Sequence, residues 1–411
     1  MLSRLKENSN LLFRGIGVAF ALLISALLWQ VPLDYLESLT YDWRVRWSPT
    51  TPKSGHVELV SIDPQTLEQL QRAPLALDHK RFLENLAEAN PRSVVYLIDP
   101  SQLEGTDEEL KSLAMSVEKL PSFYYAANAL PQKGAGNTLT LPAPLDTIPV
   151  FPGPQTKDKM NFAKDGVTRR FIYSYEGLPT IHPLLAQSYN GLELTEDYQG
   201  LFEFLGTFQG YVDFRPAGSY PTHRFLDVLN KKVNPTDFTD KIVIVGQNTM
   251  ETTDHYVSTP YSRDIVAMTA MEMHANVFDT LIKNSAPIRT PRWFDFLVTI
   301  VISMITLYVM FTLRPLQGLL TLGLVMFAFI SIAFATFVGF QVWMDMAHPL
   351  ITIFVCYYFF IPYRLVMENR RSWEYYQRNK LLTQVEELKS NFLRMMSHDL
   401  KTPLARIQGM S

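Results

Sequence analysis

Four long apolar runs separated by polar sequence dominate the hydrophobic pattern of the chain. They cover residues 15–31, 296–313, 316–340 and 347–363. A helix rises ~1.5 Å per residue and the hydrocarbon core of a bilayer is about 30 Å thick, so runs of this length predict transmembrane helices. None holds an Asp, Glu, Lys or Arg in its interior, whereas a transporter or channel usually places such groups within its spans. The pattern therefore favours four helices that anchor the chain in a lipid bilayer.

Positive charge is distributed unevenly over the segments that flank these runs. Residues 1–14 and 364–371 are rich in Lys and Arg and the short join at Arg314 is basic, whereas the join at 341–346 has neither residue type. Because Lys and Arg concentrate on the cytoplasmic side of a membrane, we expect both termini in the cytoplasm. Residues 32–292 then lie in the periplasm or outside the cell. The first run lacks an A-x-A-like cleavage site, so we expect an uncleaved, multi-pass protein of the inner or plasma membrane.

Residues 32–292 alternate short strand patterns with helical patterns. The predicted strands are Val57–Ile62, Ser93–Ile98, Phe123–Ala127, Arg170–Tyr175, Gly210–Phe214 and Ile242–Val245. The predicted helices are His79–Ala89, Asp107–Leu120 and Ala270–Ile282, and the Pro- and Gly-rich stretch 131–154 is predicted to be a loop. Such alternation predicts one large α/β domain with a largely parallel sheet.

Acidic residues follow two of these strands. Asp63 and Asp99 come after the first and second strand, and Gly246-Gln247 follows the last. Because the carboxyl ends of parallel strands meet at one edge of a sheet, where open α/β sheets bind ligands, we consider Asp63, Asp99 and Asp254 a candidate ligand site. Capping of a turn or helix is the more common role for such residues. No tight ligand spacing indicates a metal ion, and we expect no cofactor in this domain.

Two other features of this region have more ordinary interpretations. His274 lies in a helical pattern of small and apolar residues and is predicted to be a satisfied interior histidine. Arg169-Arg170 is predicted to be solvated, with anion binding as the alternative. The chain of 411 residues carries a net charge of −3, so no strong field favours nucleic acid. Its single cysteine, Cys356, excludes a disulfide within the chain.

From Arg364 onward the pattern predicts one long helix. Apolar residues alternate spacings of four and three, as in a coiled-coil seam, at Leu381, Val385, Leu388, Phe392 and Met395. We interpret this seam as the contact between two chains of a homodimer. The alternative is an amphipathic helix that packs on its own domain.

A histidine stands off the apolar stripe further along this helix. The stripe repeats every four residues, at Phe392, Met396, Leu400 and Leu404. His398 lies two positions from its nearest members, roughly 200° around the helix, so it should face water. An exposed neutral imidazole is a nucleophile, Asp399 can fix its tautomer, and Thr402 brings a hydroxyl to the same face one turn on. The alternative is an ordinary surface histidine.

The stretch FLRMMSHDLKTPLARI, which begins at Phe392, resembles the H-box of sensor histidine kinases. The resemblance implies that His398 is the phospho-acceptor, Asp399 its acidic partner and Thr402 a residue used in dephosphorylation. It also implies a homodimer, a response-regulator partner, and ATP with Mg²⁺ held by a nucleotide-binding domain that this sequence does not contain. The sequence ends at Ser411, inside the first helix of the expected four-helix bundle, so we expect either a fragment or an enzyme part located elsewhere.

A second resemblance covers most of residues 32–292. It rests on the order and spacing of YDWRVRW, VELVSIDPQTLEQL, SVVYLIDP, DGVTRR, KIVIVGQNTMETTDHYVSTP and MEMHANVFDTLI. Together they resemble a CHASE-type sensor domain of the second type, which is found outside the membrane on histidine kinases and nucleotide cyclases. Relatives usually place Pro-Gly where this chain has Met268-Thr269-Ala270. The H-box disfavours a cyclase output.

The expected organisation follows from these patterns. It comprises a cytoplasmic N-terminus (1–14), the four spans, the sensor domain (32–292), a signalling helix (364–391) and the start of a phospho-acceptor domain (392–411). The predicted function is that of a membrane sensor histidine kinase that detects an unidentified ligand or protein. The alternative is a non-catalytic membrane receptor that binds a ligand and signals by association.

Overall fold

A computed structural model describes residues 2–130, 139–156, 162–192, 198–249, 255–262 and 267–408. Side chains are not described for residues 2–14 and 397–408, nor at a few positions between them. The chain divides into two compact units. The helical unit comprises Met1–Gln30, Leu297–Met326 and Pro349–Ser411, and the α/β unit comprises Val31–Phe296 and Phe327–His348.

The described residues form both helices and strands. The α-helices are α1 (Leu2–Trp29), α2 (Asp34–Trp47), α3 (Pro64–Leu70), α4 (Ala76–Glu88), α5 (Asp107–Val117), α6 (Ile181–Asn190), α7 (Phe225–Leu229), α8 (Ala270–Ile282), α9 (Arg292–Thr312), α10 (Pro315–Phe340) and α11 (Ala347–Gln408). The strands are β1 (Val57–Ile62), β2 (Ser93–Tyr96), β3 (Phe123–Ala127), β4 (Val150–Pro152), β5 (Gln155–Thr156), β6 (Arg170–Tyr175), β7 (Leu178–Pro179), β8 (Phe202–Phe204), β9 (Thr207–Tyr211), β10 (Thr222–Arg224), β11 (Ile242–Gln247), β12 (Tyr256–Val257), β13 (Met268–Thr269), β14 (Ile288–Arg289) and β15 (Val342–Trp343).

A six-stranded sheet forms the centre of the α/β unit. Its strand order is β10-β1-β11-β2-β3-β4, and every neighbouring pair is parallel. Helices α4, α5 and α7 cover one face, and α6 and α8 cover the other. Strands covered on both faces often read as continuous apolar runs, as IVIV of β11 does, and all six residues of β1 are buried. The predicted α/β fold with a largely parallel sheet is confirmed.

A second sheet lies in the same unit and is antiparallel. Its order is β5-β6-β9-β8, with β7 paired to β6. Its aromatic face packs with Tyr41 of α2 and with Trp343 of β15 in one buried cluster. The sequence pattern did not separate this sheet from the first, because its strands are short and their partners are set by contacts distant in sequence.

Several predicted boundaries coincide with the structure and others do not. Val57–Ile62, Phe123–Ala127, Arg170–Tyr175 and Ala270–Ile282 are observed as predicted. The bounds of the predicted strand Gly210–Phe214 are wrong, since the observed strand β9 covers Thr207–Tyr211. The chain beyond it turns to α8, where the N–H groups of Asp213 and Arg215 donate to side-chain oxygens of Thr280 and Asn276.

The predicted loop 131–154 is also partly wrong. Residues 131–138 lie outside the described residues, but Val150–Pro152 forms β4 at the edge of the parallel sheet. A three-residue strand that ends in proline carries no periodic signal, so only its pairing with β3 reveals it.

The four apolar runs of the sequence form helices: the first lies in α1, the next two form α9 and α10, and the last begins α11. Within the described residues, α9 and α10 are long and apolar enough to cross a membrane, and Gly17–Trp29 with α2 would add a third span only as a pair bent by 84°. The apolar start of α11, Ala347–Pro362, is shorter. A Cβ on Gly17 would lie 2.6 Å from the Phe311 ring, so this glycine lets α1 and α9 approach closely. The four-span topology stays a prediction.

Candidate functional site

A cavity of about 370 Å³ lies at the carboxyl edge of the parallel sheet. Here β11 stands between β1 and β2, although it follows them by far in the sequence. Such crossover points are where open α/β sheets bind ligands. The lining includes Leu97–Pro100 after β2, Tyr125–Asn128 at the end of β3, Gly246-Gln247 at the end of β11, His255, and Ala270, Met271 and His274 of α8. We call this the strand-end cavity.

The structure separates Asp63 from Asp99, two of the three acidic residues that the sequence grouped. Asp63 caps α3: its carboxylate accepts hydrogen bonds from the Thr66 N–H (2.8 Å) and hydroxyl (2.6 Å), and it does not line the strand-end cavity. Asp99 does line the cavity, while its Oδ1 accepts from the N–H and hydroxyl of Ser101. Asp254 lies outside the described residues. The capping role that the sequence favoured is therefore observed for Asp63, and only Asp99 stands at the predicted place.

His274 lies inside the fold as predicted, and its partner is a second histidine. Its Nδ1 lies 2.8 Å from Nε2 of His182 in α6, and the two rings stack with centroids 5.0 Å apart. Burial lowers the pKa of His274 to about 4 and that of His182 well below its usual value. Both rings are therefore neutral near neutral pH. The sequence gave no reason to single out His182, because one histidine in an apolar helical pattern carries no sign of its partner.

A second polar centre, the Glu37 network, ties α2 to the segment between α10 and α11. Oε1 of Glu37 accepts from Arg44 Nη2 (2.6 Å) and Trp343 Nε1 (2.5 Å). Oε2 accepts from the backbone N–H groups of Met346 (2.8 Å) and Ala347 (2.9 Å). Glu37 is 2 % exposed and Arg44 is fully buried. Each carboxylate oxygen thus has two donors. Burial raises the pKa of Glu37 to about 7, and the adjacent Arg44 guanidinium opposes this shift.

Arg44 extends this network by a further backbone contact. Its Nη1 donates to the Met344 carbonyl at 2.8 Å, and strand β15 pairs in parallel with β14 beside it. The segment from Val342 to Ala347 is thereby part of the α/β unit. The sequence showed only a join between two apolar runs, and its contacts with α2 are about 300 residues away along the chain.

The prediction that Arg169-Arg170 is solvated is wrong. Arg169 is 1 % exposed and forms a bidentate ion pair with Asp42, at 2.7 and 2.8 Å, and a further bond to Asp165. Arg170 is also buried, donates to Gln209 and lies 3.9 Å over the Phe162 ring. Because the carboxylates and the aromatic face replace water, both guanidinium groups can be buried. Arg169 joins α2 to the segment that leads into β6, and Arg170 links β6 to β9 within the second sheet.

The H-box lies on the last part of α11. The backbone at His398, Asp399 and Thr402 is helical, and their side chains lie outside the described part of the chain. Upstream, the predicted seam at Leu381, Val385, Leu388, Phe392 and Met395 is more than half exposed at every position. Within the described residues, this apolar stripe does not pack on its own domain.

Comparison with known proteins assigns the family. The family model of the CHASE2 domain matches residues 18–311. No curated protein matches the chain, and no solved structure does. The matched range covers the parallel sheet, the second sheet and the strand-end cavity, so this chain belongs to the CHASE2 family, whose domain is an extracellular sensor found in signalling proteins.

Proposed function

We propose that this protein is a membrane sensor histidine kinase in which the CHASE2 domain detects an extracytoplasmic signal and His398 carries the phosphoryl group. The observation that carries the proposal is the octet SHDLKTPL on α11, a single helix of 62 residues from Ala347 to Gln408. At its first residue, the N–H of Ala347 donates to Glu37 of the α/β unit. One helix thus begins in the α/β unit and includes the H-box.

The proposed signal is a small displacement of α11 along or about its axis. Switching proteins commonly use helix shifts of about 1–2 Å, because packed elements have discrete arrangements. A movement in the CHASE2 domain would act on α11 through the Glu37 network. The exposed seam from Leu381 to Met395 supports pairing with a second copy of the chain, so the shift would alter how the two H-box helices pack.

The proposed chemistry is phosphoryl transfer to an imidazole. A ring nitrogen of His398 attacks the terminal phosphorus of ATP, a P–N bond forms, and the P–O bond to the leaving ADP breaks. Asp399 accepts or orients the proton on the other ring nitrogen, and Thr402 positions water when the phosphoryl group is removed. The group then passes to an aspartate of a response regulator. ATP and Mg²⁺ belong to a separate nucleotide-binding domain, and no residue of this sequence is assigned to them.

Radiolabelled phosphate tests this proposal on the full chain in membranes, with a histidine-kinase catalytic domain supplied in trans. His398→Gln should abolish acid-labile label, Asp399→Asn should slow labelling, and Thr402→Ala should retain label while slowing dephosphorylation of the regulator. His56→Gln, a histidine remote from the H-box in sequence, is the matched control and should label normally. Undiminished label in His398→Gln would reject the kinase assignment. Unlabelled wild-type protein would favour the alternative, a receptor that signals by association alone.

A further inference from the structure

Besides Asp99, which the sequence predicted at this edge, the strand-end cavity has buried polar groups at its wall. Two buried polar atoms at or behind its wall have no hydrogen-bond partner among the described residues: the Tyr125 hydroxyl and Nδ1 of His182. Tyr125 lines the cavity and is 4 % exposed, and His182 reaches the cavity through its bond to His274. Buried polar groups are nearly always paired, so the unpaired Tyr125 hydroxyl beside the cavity marks a place for a ligand.

The bond between the two histidines indicates which ring nitrogen of His274 carries the hydrogen. If His182 Nε2 donates, Nδ1 of His182 is left as a bare acceptor. If His274 Nδ1 donates instead, Nδ1 of His182 must carry a buried hydrogen with no acceptor. Unpaired buried N–H groups are rarer than unpaired acceptors, so the first arrangement has the lower free energy. His274 then carries its hydrogen on Nε2, at the ring edge opposite His182.

The charge of the lining determines the class of ligand. Among the described residues that line the cavity there is no Lys or Arg, and the one acid, Asp99, is exposed and already accepts from Ser101. The deep groups are uncharged, because burial lowers the pKa of His274 to about 4 and raises that of Tyr125. An anion would lose its hydration here without meeting a cation, which is costly.

Much of the remaining wall is apolar. It includes Leu97, Leu141, Val150 and Met271. A Cβ on Gly246 would lie 2.7 Å from Cγ of Met271, so this glycine allows the methionine to close the wall. Gln247 lines both this cavity and a second one beside His79, and its Nε2 donates to Oε1 of Gln102 at 2.6 Å. The volume of about 370 Å³ is within the range of small-molecule sites.

We propose that the strand-end cavity binds a small uncharged organic molecule, with an apolar body against Met271 and a hydrogen-bond acceptor on Nε2–H of His274. The Tyr125 hydroxyl is its second polar contact. The inference rests on the proposed function, since it supplies the signal that the sensor domain detects.

The test uses three probes of one size and shape: benzamide, which is uncharged, benzamidinium, a cation, and benzoate, an anion. Thermal unfolding of the full chain in detergent is followed by tryptophan fluorescence at increasing probe concentration. Benzamide should raise the unfolding midpoint in a saturable manner, because a ligand that binds only the folded state stabilises it. Benzamidinium and benzoate should not.

Three variants assign the binding to this cavity. His274→Gln should weaken benzamide binding about tenfold, the effect of one lost hydrogen bond in a buried site. Ala127→Leu, at a half-buried position of the lining, should block binding without removing a buried polar group. His79→Gln is the matched control, since His79 is equally buried and bonded to the Tyr96 hydroxyl but does not line this cavity. It should leave benzamide binding unchanged.

Several results would overturn the inference. These are benzoate or benzamidinium binding as tightly as benzamide, full affinity in Ala127→Leu, or no saturable response to benzamide in the wild-type chain. Phosphorylation does not enter this measurement. Benzamide binding in a chain that is never labelled on His398 would reject the kinase and retain the site, and label without benzamide binding would do the reverse.

Discussion

The strand-end cavity and the Glu37 network both lie in the α/β unit and contain buried polar atoms, but they differ in how completely those atoms are hydrogen-bonded. At the cavity the groups are neutral, and Tyr125 and His182 each keep an atom without a partner among the described residues. In the network Glu37 forms an ion pair with Arg44 and accepts four hydrogen bonds. A fully satisfied network specifies one geometry, whereas a partly satisfied one can accept a further partner. The first region suits recognition and the second suits mechanical connection.

The largest effect is expected from breaking the network. Arg44→Met breaks the buried ion pair with Glu37, which should lower the free energy of unfolding by about 3–5 kcal/mol. Arg46→Met on the same helix is the control, because Arg46 is exposed and bonds only the Pro260 carbonyl through Nε. Chemical or thermal unfolding of the full chain in detergent gives the difference. Equal losses of unfolding free energy in both variants would mean that the Arg44–Glu37 contact contributes no more to stability than a surface arginine does.

The next largest effect is expected from acidification, which should lower the free energy of unfolding through the buried histidines. Burial lowers the pKa of His79 and His274 to about 4, below the ordinary value of 6.5. Between these values the unfolded chain binds more protons than the folded one, so stability falls as the pH falls from 6.5 toward 4. From pH 7 to pH 5 each histidine should cost about 2 kcal/mol. The stability of His274→Gln should depend less on pH over this interval. If its pH profile matched that of the wild-type chain, His274 would not be buried in its neutral form.

A smaller effect is expected where the cavity can absorb a new atom. Gly246→Ala places a methyl group against Met271, but the flexible methionine can move toward the cavity. The cost should be about 1–2 kcal/mol, at the low end for overpacking. The double variant Gly246→Ala, Met271→Ala should remove the clash, so its two changes should cost less together than their separate losses add up to. If the two losses simply added up, the methyl group at position 246 would not be in conflict with the Met271 side chain.

The smallest effect concerns the acid that stands at the sheet edge without lining the cavity. Asp63→Ala removes the α3 cap and should cost about 1 kcal/mol, while Asp63→Asn should cost only a few tenths, about 0.3 kcal/mol, because asparagine also caps. Neither should alter benzamide binding. A loss of binding in Asp63→Asn would return Asp63 to the ligand site that the sequence suggested.

The features predicted from the sequence are those that a local pattern determines. The apolar run VELVSI, with its boundary at Asp63-Pro64, predicted β1, and the alternation of strands with helices predicted the parallel sheet. Asp99 was placed at the correct edge because a strand end positions the next residue. The same logic grouped Asp63 with it, yet the local cap on Thr66 holds its carboxylate.

The features that the sequence missed depend on partners far along the chain. Arg169 was predicted to be solvated because nothing near it shows that Asp42, 127 residues away, would neutralise it. Glu37 meets Ala347 across 310 residues, and His182 meets His274 across 92. Charge and polarity report the residue type, whereas burial depends on which distant segment covers it.

Strand β15 has a practical consequence for anyone who excises the sensor. A fragment cut at residues 32–292 would contain Glu37, Arg44 and β14, but it would lack Trp343 and the N–H groups of Met346 and Ala347. Of the four donors that Glu37 has in the intact chain, such a fragment would keep one, Nη2 of Arg44. A portable sensor, or a chimera with another signalling output, therefore has to carry residues 341–347 as well. In this family member, the module that can be exchanged is discontinuous in sequence.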